Sequence, residues 1–204
     1  MKYEFAAIIL SGGLNTRMQG LNKSFLQLQG QSFLQRLLGI LKPLFPEIIL
    51  VTRQPELYSE PGVRVVEDVF QIRSSLTGMH AGLLHCSHNQ AFVTACDMPL
   101  LQPALIRELL ASWKQDCEVL VPKKDSFYEP LCAIYSRSCL PWIEAFLRQG
   151  QVKISNLYQQ VQTKEIPEQN LRQADPDLLS FLNINSHEDL LQVRTLLAST
   201  ACSA

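Results

Sequence analysis

The sequence predicts an α/β fold in which one mostly parallel sheet carries helices on both faces. Three observations predict it. Continuous apolar runs of strand length alternate with longer stretches whose apolar residues recur at helical spacing. Such runs suit strands buried on both sides, as in parallel sheets covered by crossover helices. The third observation is positional. Gly12-Gly13, Asp68 and Asp97 all fall at the carboxyl ends of expected strands, where open sheets of this class bind their ligands.

Taken in order, Phe5–Leu10 reads as the first buried strand and empties into a glycine-containing loop. Ser32 is placed as the N-cap of a helix through Phe33, Leu34, Leu37, Leu38 and Leu41, which Pro43 and Pro46 end. Ile48–Thr52 is the second strand, and Val63–Val66 the third, ending in Glu67-Asp68. Arg73–Gly78 reads as a loop before a helix from about Met79 to His88. Ala91–Cys96 is the next strand, with Asp97-Met98-Pro99 at its end. Pro103 suits the first residue of a helix that turns Leu105, Ile106, Leu109 and Leu110 inward. Val119–Val121 is a further strand.

The remainder is less regular. Glu129–Tyr135 reads as a strand, with Pro130 suited to its first residue or to a sheet edge. Helices are expected over Ser138–Arg148 and Ile154–Gln160, and a short edge strand over Thr163–Ile166. Leu182–Ser186 leads into a closing helix, Glu188–Leu197, and 198–204 is read as a frayed tail.

A chain of 204 residues suits a single domain, one that buries about 70% of its unfolded surface. Charged residues make up 18% and the net charge is -1, which speaks against a nucleic-acid or anionic-membrane partner. The six cysteines form no C-x-x-C, and His85, His88 and His187 show no ligand spacing. Buried inert thiols and a reduced, cytoplasmic setting are therefore expected. The apolar part of the first strand is shorter than the ~7–15 residues of a signal peptide's core. No run approaches the ~20 apolar residues of a membrane span.

The segment Leu10 to Lys23 holds the most chemistry. Glycines let a backbone approach an anion, and successive N–H groups can point at it. Arg17 and Lys23 add positive charge where a triphosphate would lie. A dinucleotide fingerprint needs a residue between its first two glycines, and a P-loop needs Gly directly before Lys-Ser. Gly12-Gly13 and Asn22-Lys23-Ser24 meet neither requirement. What remains resembles the L-x-G-G-x-x-x-R-M-x-G-x-x-K signature of nucleotidyltransferases, and within them the molybdenum cofactor guanylyltransferases, the MobA family.

The resemblance implies a Rossmann-like domain of the nucleotide-diphospho-sugar transferase type, with a nucleotide-binding half over 1–100 and an acceptor-binding half over 101–197. It implies transfer of GMP from GTP to molybdopterin or its molybdenum form, with Mg2+ as cofactor and pyrophosphate released. Molybdoenzyme-maturation proteins are the further partners it suggests. Other readings of the same signature are cytidylyl transfer, sugar-phosphate nucleotidylyl transfer, or a nucleotide-binding module without turnover.

By the same resemblance Leu10, Ser11, Gly12, Gly13, Lys23, Asp68, Gly78 and Asp97 bind the nucleotide, and Arg17, Lys23 and Asp97 form the catalytic set. Asp97, in a C-D-x-P segment, is implied as the metal ligand, which suits a hard cation that takes carboxylate and phosphate oxygens; helix capping is its other reading. Asp68 is either a nucleotide contact or a solvated turn, and Arg17 either a phosphate ligand or half of a structural ion pair. Asn183 and Asn185 either reach metal and substrate or cap the closing helix. His80 reads as structural. Departures from the pattern include Ser11 for the usual Ala, Asn22 for the usual Asp, and no clear Asn near Val51-Thr52.

Overall fold

The computed structural model describes residues 4–12 and 22–201, with side chains to 198. The strands are β1 (Ala6–Ser11), β2 (Gln27–Leu28), β3 (Gln31–Ser32), β4 (Glu47–Thr52), β5 (Arg64–Val66), β6 (Gln90–Ala95), β7 (Val119–Lys124), β8 (Phe127–Tyr128), β9 (Cys132–Ser136) and β10 (Thr163–Pro167). The helices are α1 (Phe33–Leu41), α2 (Ser75–His85), α3 (Pro103–Ser112), α4 (Leu140–Arg148), α5 (Glu168–Ala174) and α6 (His187–Ala201).

The main sheet runs β10-β7-β9-β6-β1-β4-β5, with β8 paired to β7. β5, β4, β1 and β6 are mutually parallel neighbours, and β10 runs parallel to β7. Only β9 breaks the pattern on this path, lying antiparallel to both β6 and β7. The chain therefore winds outward from β1 through β4 to β5, then crosses back through α2 to β6 on the other side. Strand order thus reverses at β1 and β6, the kind of point where open sheets of this class bind ligands beyond the carboxyl ends.

Alternation along β1 divides the core. Ala7 and Ile9 pack with α1, α3 and α5 on one face. Ala6, Ile8 and Leu10 pack with α2 and α4 on the other. Helices thus cover both faces, as the apolar runs require. α1 begins on a capping box: Ser32 Oγ accepts from Gln35 N, and Gln35 Oε1 accepts from Ser32 N. α2 lies so close to β1 that a Cβ on Gly82 would meet Ile8 Cγ2 at 2.5 Å, so only glycine fits there.

Three expectations are corrected. α2 starts at Ser75 rather than Met79, because Ser74 Oγ accepts from Thr77 N and caps the segment read as loop. Ile154–Gln159 is a 3-10 turn rather than an α-helix. The closing helix runs on to Ala201 through part of the stretch read as a frayed tail. Four elements gave no recognised signal: β2, β3, β8 and α5. All are short, and α5 buries only Leu171.

Candidate active site

Four parallel strands in succession deliver their ends to one edge. β5 ends two residues before Asp68, β4 ends at Thr52 beside Arg53, β1 ends at Ser11 beside Gly12, and β6 ends two residues before Asp97. Two of these ends are joined by main chain, where Cys96 N donates to Leu10 O at 3.0 Å. Gly12 is exposed, and among the described residues a Cβ there would meet no atom within 4 Å. Gly13 and Arg17 lie outside the described residues.

Lys23, on a 3-10 turn over Lys23–Phe25, reaches across this edge. Its Nζ lies 2.9 Å from Asp97 Oδ2 and 2.7 Å from Asn185 Oδ1. Both members of the ion pair keep some water contact, with side chains 16% and 22% exposed. Asn185 arrives there because Ile184 N donates to Asp97 O at 2.9 Å, which lays the 184–186 segment against the end of β6. Asp189 Oδ2 then accepts from both Asn185 N and Ser186 N, while Ser186 Oγ accepts from Asp189 N. The Asn185 N–H holds the Asp189 carboxyl below its usual range, with Ser186 helping against a smaller opposing effect of burial. Asn183 is exposed, so of the two asparagines it is Asn185 that joins the cluster. Asp97 does not cap α3, whose N-cap position is Gln102.

The second group lies on the β4–β5 side. Arg53 Nε donates to Asp68 Oδ2 at 2.9 Å, and its NH2 group donates to the carbonyls of Phe70, Gln71 and Ile72. Gly78 on α2 faces this pair. A Cβ there would come to 3.3 Å from Leu10 Cδ2 and 3.7 Å from Asp68 Oδ1. Gly78, Leu10 and Asp68 are thus brought together as expected. Arg53 follows the strand where the expected Asn had no match.

Beside the end of β1 lies a knot of hydroxyls that sequence reasoning missed. Ser11 Oγ is 2.6 Å from both Ser24 Oγ and Tyr58 OH, and Asn22 Nδ2 donates to Tyr58 OH at 2.8 Å. Phe25 stacks on the Tyr58 ring. Ser11 and Asn22 are two of the departures from the family pattern, and here they share one partner. Each supplies a polar atom to the same buried phenol. Cys96 lies beside them. Burial, with the Asp97 charge adding to it, pushes its thiol up to about 11, so it stays protonated and inert at neutral pH.

His80 is buried, with Nε2 3.2 Å from Glu144 Oε1 and its ring edge-on to Phe70. That agrees with a packing role. No helix among the described residues is long and apolar enough to cross a membrane.

Asp97 and Asn185 offer hard oxygens, a donor set that fits a divalent cation of the magnesium type. The site combines a cation, a carboxylate and a carboxamide at the end of a switch-point strand, an arrangement able to hold phosphates.

Comparisons with known proteins agree. The family model of the MobA-like NTP transferase domain matches residues 7–165. The chain is 40% identical over 183 residues to the molybdenum cofactor guanylyltransferase of Desulfosudis oleivorans, covering 90% of this chain and 91% of that one. It is 33% identical over 200 residues to a probable molybdenum cofactor guanylyltransferase of Natranaerobius thermophilus, covering 96% and 97%. Among solved structures, molybdopterin-guanine dinucleotide biosynthesis protein A from Archaeoglobus fulgidus superposes with a TM-score of 0.84 at 28% identity, over 96% of this chain and 100% of that one.

Proposed function

This chain belongs to the MobA-like NTP transferase family, and on that premise we propose that it transfers GMP from GTP to the terminal phosphate of molybdopterin or its molybdenum form. The product is the guanine dinucleotide cofactor, and pyrophosphate leaves. The single observation that carries this reading is the placement of Lys23 Nζ between Asp97 and Asn185 at the end of β6.

An oxygen of the acceptor phosphate forms a bond to the α-phosphorus while the bridge from that phosphorus to the β-phosphate breaks in line. The acceptor phosphate is already ionised, so no general base is needed. Lys23 is a compact cation on a flexible stem. It turns from Asp97 toward the phosphates and neutralises charge as it builds on the departing pyrophosphate. Arg17 joins it in this role. Asp97 and Asn185 would hold Mg2+, which when bound draws the phosphate oxygens together and offsets their charge. Leu10, Ser11, Gly12 and Gly13 line the phosphates, and Asp68 with Gly78 borders the nucleoside. The setting is cytoplasmic, in keeping with five buried cysteines that are all free. Molybdoenzyme-maturation proteins are the further partners, as acceptors of the product.

Pyrophosphate release, measured with molybdopterin and each of GTP, CTP and ATP, tests the reading. Release with GTP is expected. Release with CTP alone would make the enzyme a cytidylyltransferase, and nucleotide binding without release would make it a carrier.

A further inference from the structure

The opposite edge of the sheet carries a second group of metal-ligating side chains, remote from the nucleotide site. Glu47 opens β4 at its amino end, and Cys86 and His88 lie on the connection from α2 to β6. Their ligand atoms lie within 4.8 Å of one another. His88 Nδ1 is 3.0 Å and Cys86 Sγ 3.9 Å from the same Glu47 Oε2. Tetrahedral zinc, with bonds of about 2.0–2.3 Å, sets its ligands roughly 3.3–3.8 Å apart. Only small side-chain movements separate the two arrangements.

We propose that Glu47, Cys86 and His88 bind zinc through carboxylate, thiolate and imidazole, with water as the fourth ligand. Mixed sulfur, nitrogen and oxygen donors select a borderline ion of this kind over magnesium. The carboxylate is already oriented: Ser87 N donates to Oε2 at 2.9 Å and Ser87 Oγ to Oε1 at 3.1 Å. Such outer hydrogen bonds fix a ligand's direction. Access and space for water come from a shallow groove of about 480 Å³, lined by Gly62, Arg64, Glu47, Ser87 and His88. On binding, Cys86 releases its thiol proton and His88 carries its ring proton on Nε2, leaving Nδ1 for the ion. The ion would clamp the α2–β6 connection to the start of β4, a structural role at the edge away from the chemistry.

The test uses the full chain, stripped of metal by a chelator and titrated with zinc alone and with cobalt alone. We expect one ion per chain, a thiolate-to-cobalt charge-transfer band and a rise in melting temperature with zinc. Cys86→Ser should abolish the band, and His88→Asn should weaken zinc by roughly a hundredfold, at least the loss seen for outer-shell partners. Asp97→Asn should leave zinc binding unchanged. Circular dichroism of each variant confirms folding. A band that persists in Cys86→Ser, or a folded wild type that gives no band, overturns the proposal and leaves a hydrogen-bonded clamp.

Discussion

Lys23–Asp97 and Arg53–Asp68 are two ion pairs on one edge of one sheet, each closed at 2.9 Å. Separation alone would class them together. What divides them is the rest of each cation's grip. Arg53 also holds three consecutive carbonyls, so its planar fork fastens the 68–72 loop to the end of β4. Among the described residues the Lys23 ammonium holds two side-chain oxygens and no main-chain carbonyl. On the proposed function it would exchange both for phosphate oxygens. One pair fastens a loop to the sheet, and the other is the one proposed to open.

Substitution should separate the two. The largest effect is expected at the pair that opens. Lys23→Ala or Asp97→Ala should lower GTP-dependent turnover by about two to three powers of ten, by analogy with loss of other charge-stabilising groups. Melting temperature should barely move. Near-normal turnover in both variants would erase the distinction.

Arg53→Ala should show the reverse pattern, a loss of about 1–3 kcal/mol in denaturant unfolding from the abandoned carbonyls and carboxylate. The KM for GTP should rise while turnover of the saturated enzyme falls far less. A turnover loss matching that of Lys23→Ala, with stability intact, would place Arg53 in the chemistry.

Asp189 supports the opening pair at one remove, through Asn185. Asp189→Ala should cost about 1 kcal/mol, the usual value of a lost helix cap, and should blunt turnover by displacing Asn185. Because the folded carboxyl is held below its ordinary range, its contribution is complete above the unfolded carboxyl's pKa. It fades as pH falls through the depressed value. Acid unfolding profiles of wild type and variant should therefore differ at neutral pH and converge in acid.

The smallest change is expected from Tyr58→Phe. Ser11 and Ser24 still bond each other at 2.6 Å, so the loss should stay near 0.5–1.5 kcal/mol. Turnover should remain within a few-fold of wild type, since the phenol bonds Ser11, Asn22 and Ser24 and not Lys23, Asp97 or Asn185.

The fold was largely legible because apolar period and strand length are local properties. Ala6–Leu10, Ile48–Val51 and Ala91–Ala95 are buried throughout, and Thr94 is the one polar residue within them. Ser75–Gly78 was misread because serine and glycine suit loops by composition, whereas one hydroxyl from Ser74 turns them into the first turn of α2. At the candidate site, Lys23 and Gly78 were singled out through a resemblance, and Asp68 and Asp97 also through their places at strand ends. Arg53 and Tyr58 were missed. Their partners lie 15 and 47 positions away, and nothing local marks an arginine as a loop fastener. Glu47 shows the same limit. Cys86 and His88 stand two positions apart, but the carboxylate that His88 meets comes from 41 positions back.

The hydrogen bond from Ile184 to Asp97 has a consequence for biosynthesis. Lys23 and Asn185 stand 162 positions apart, so a growing polypeptide finishes its nucleotide-facing strands long before the carboxamide that completes the cluster has left the ribosome. Translation that stops ahead of that point would also leave Leu28, Phe33 and Leu100 without Ile184, Leu190 and Val193, their partners in one apolar cluster. Closure of the Lys23 cluster thus waits for the segment that packs that cluster.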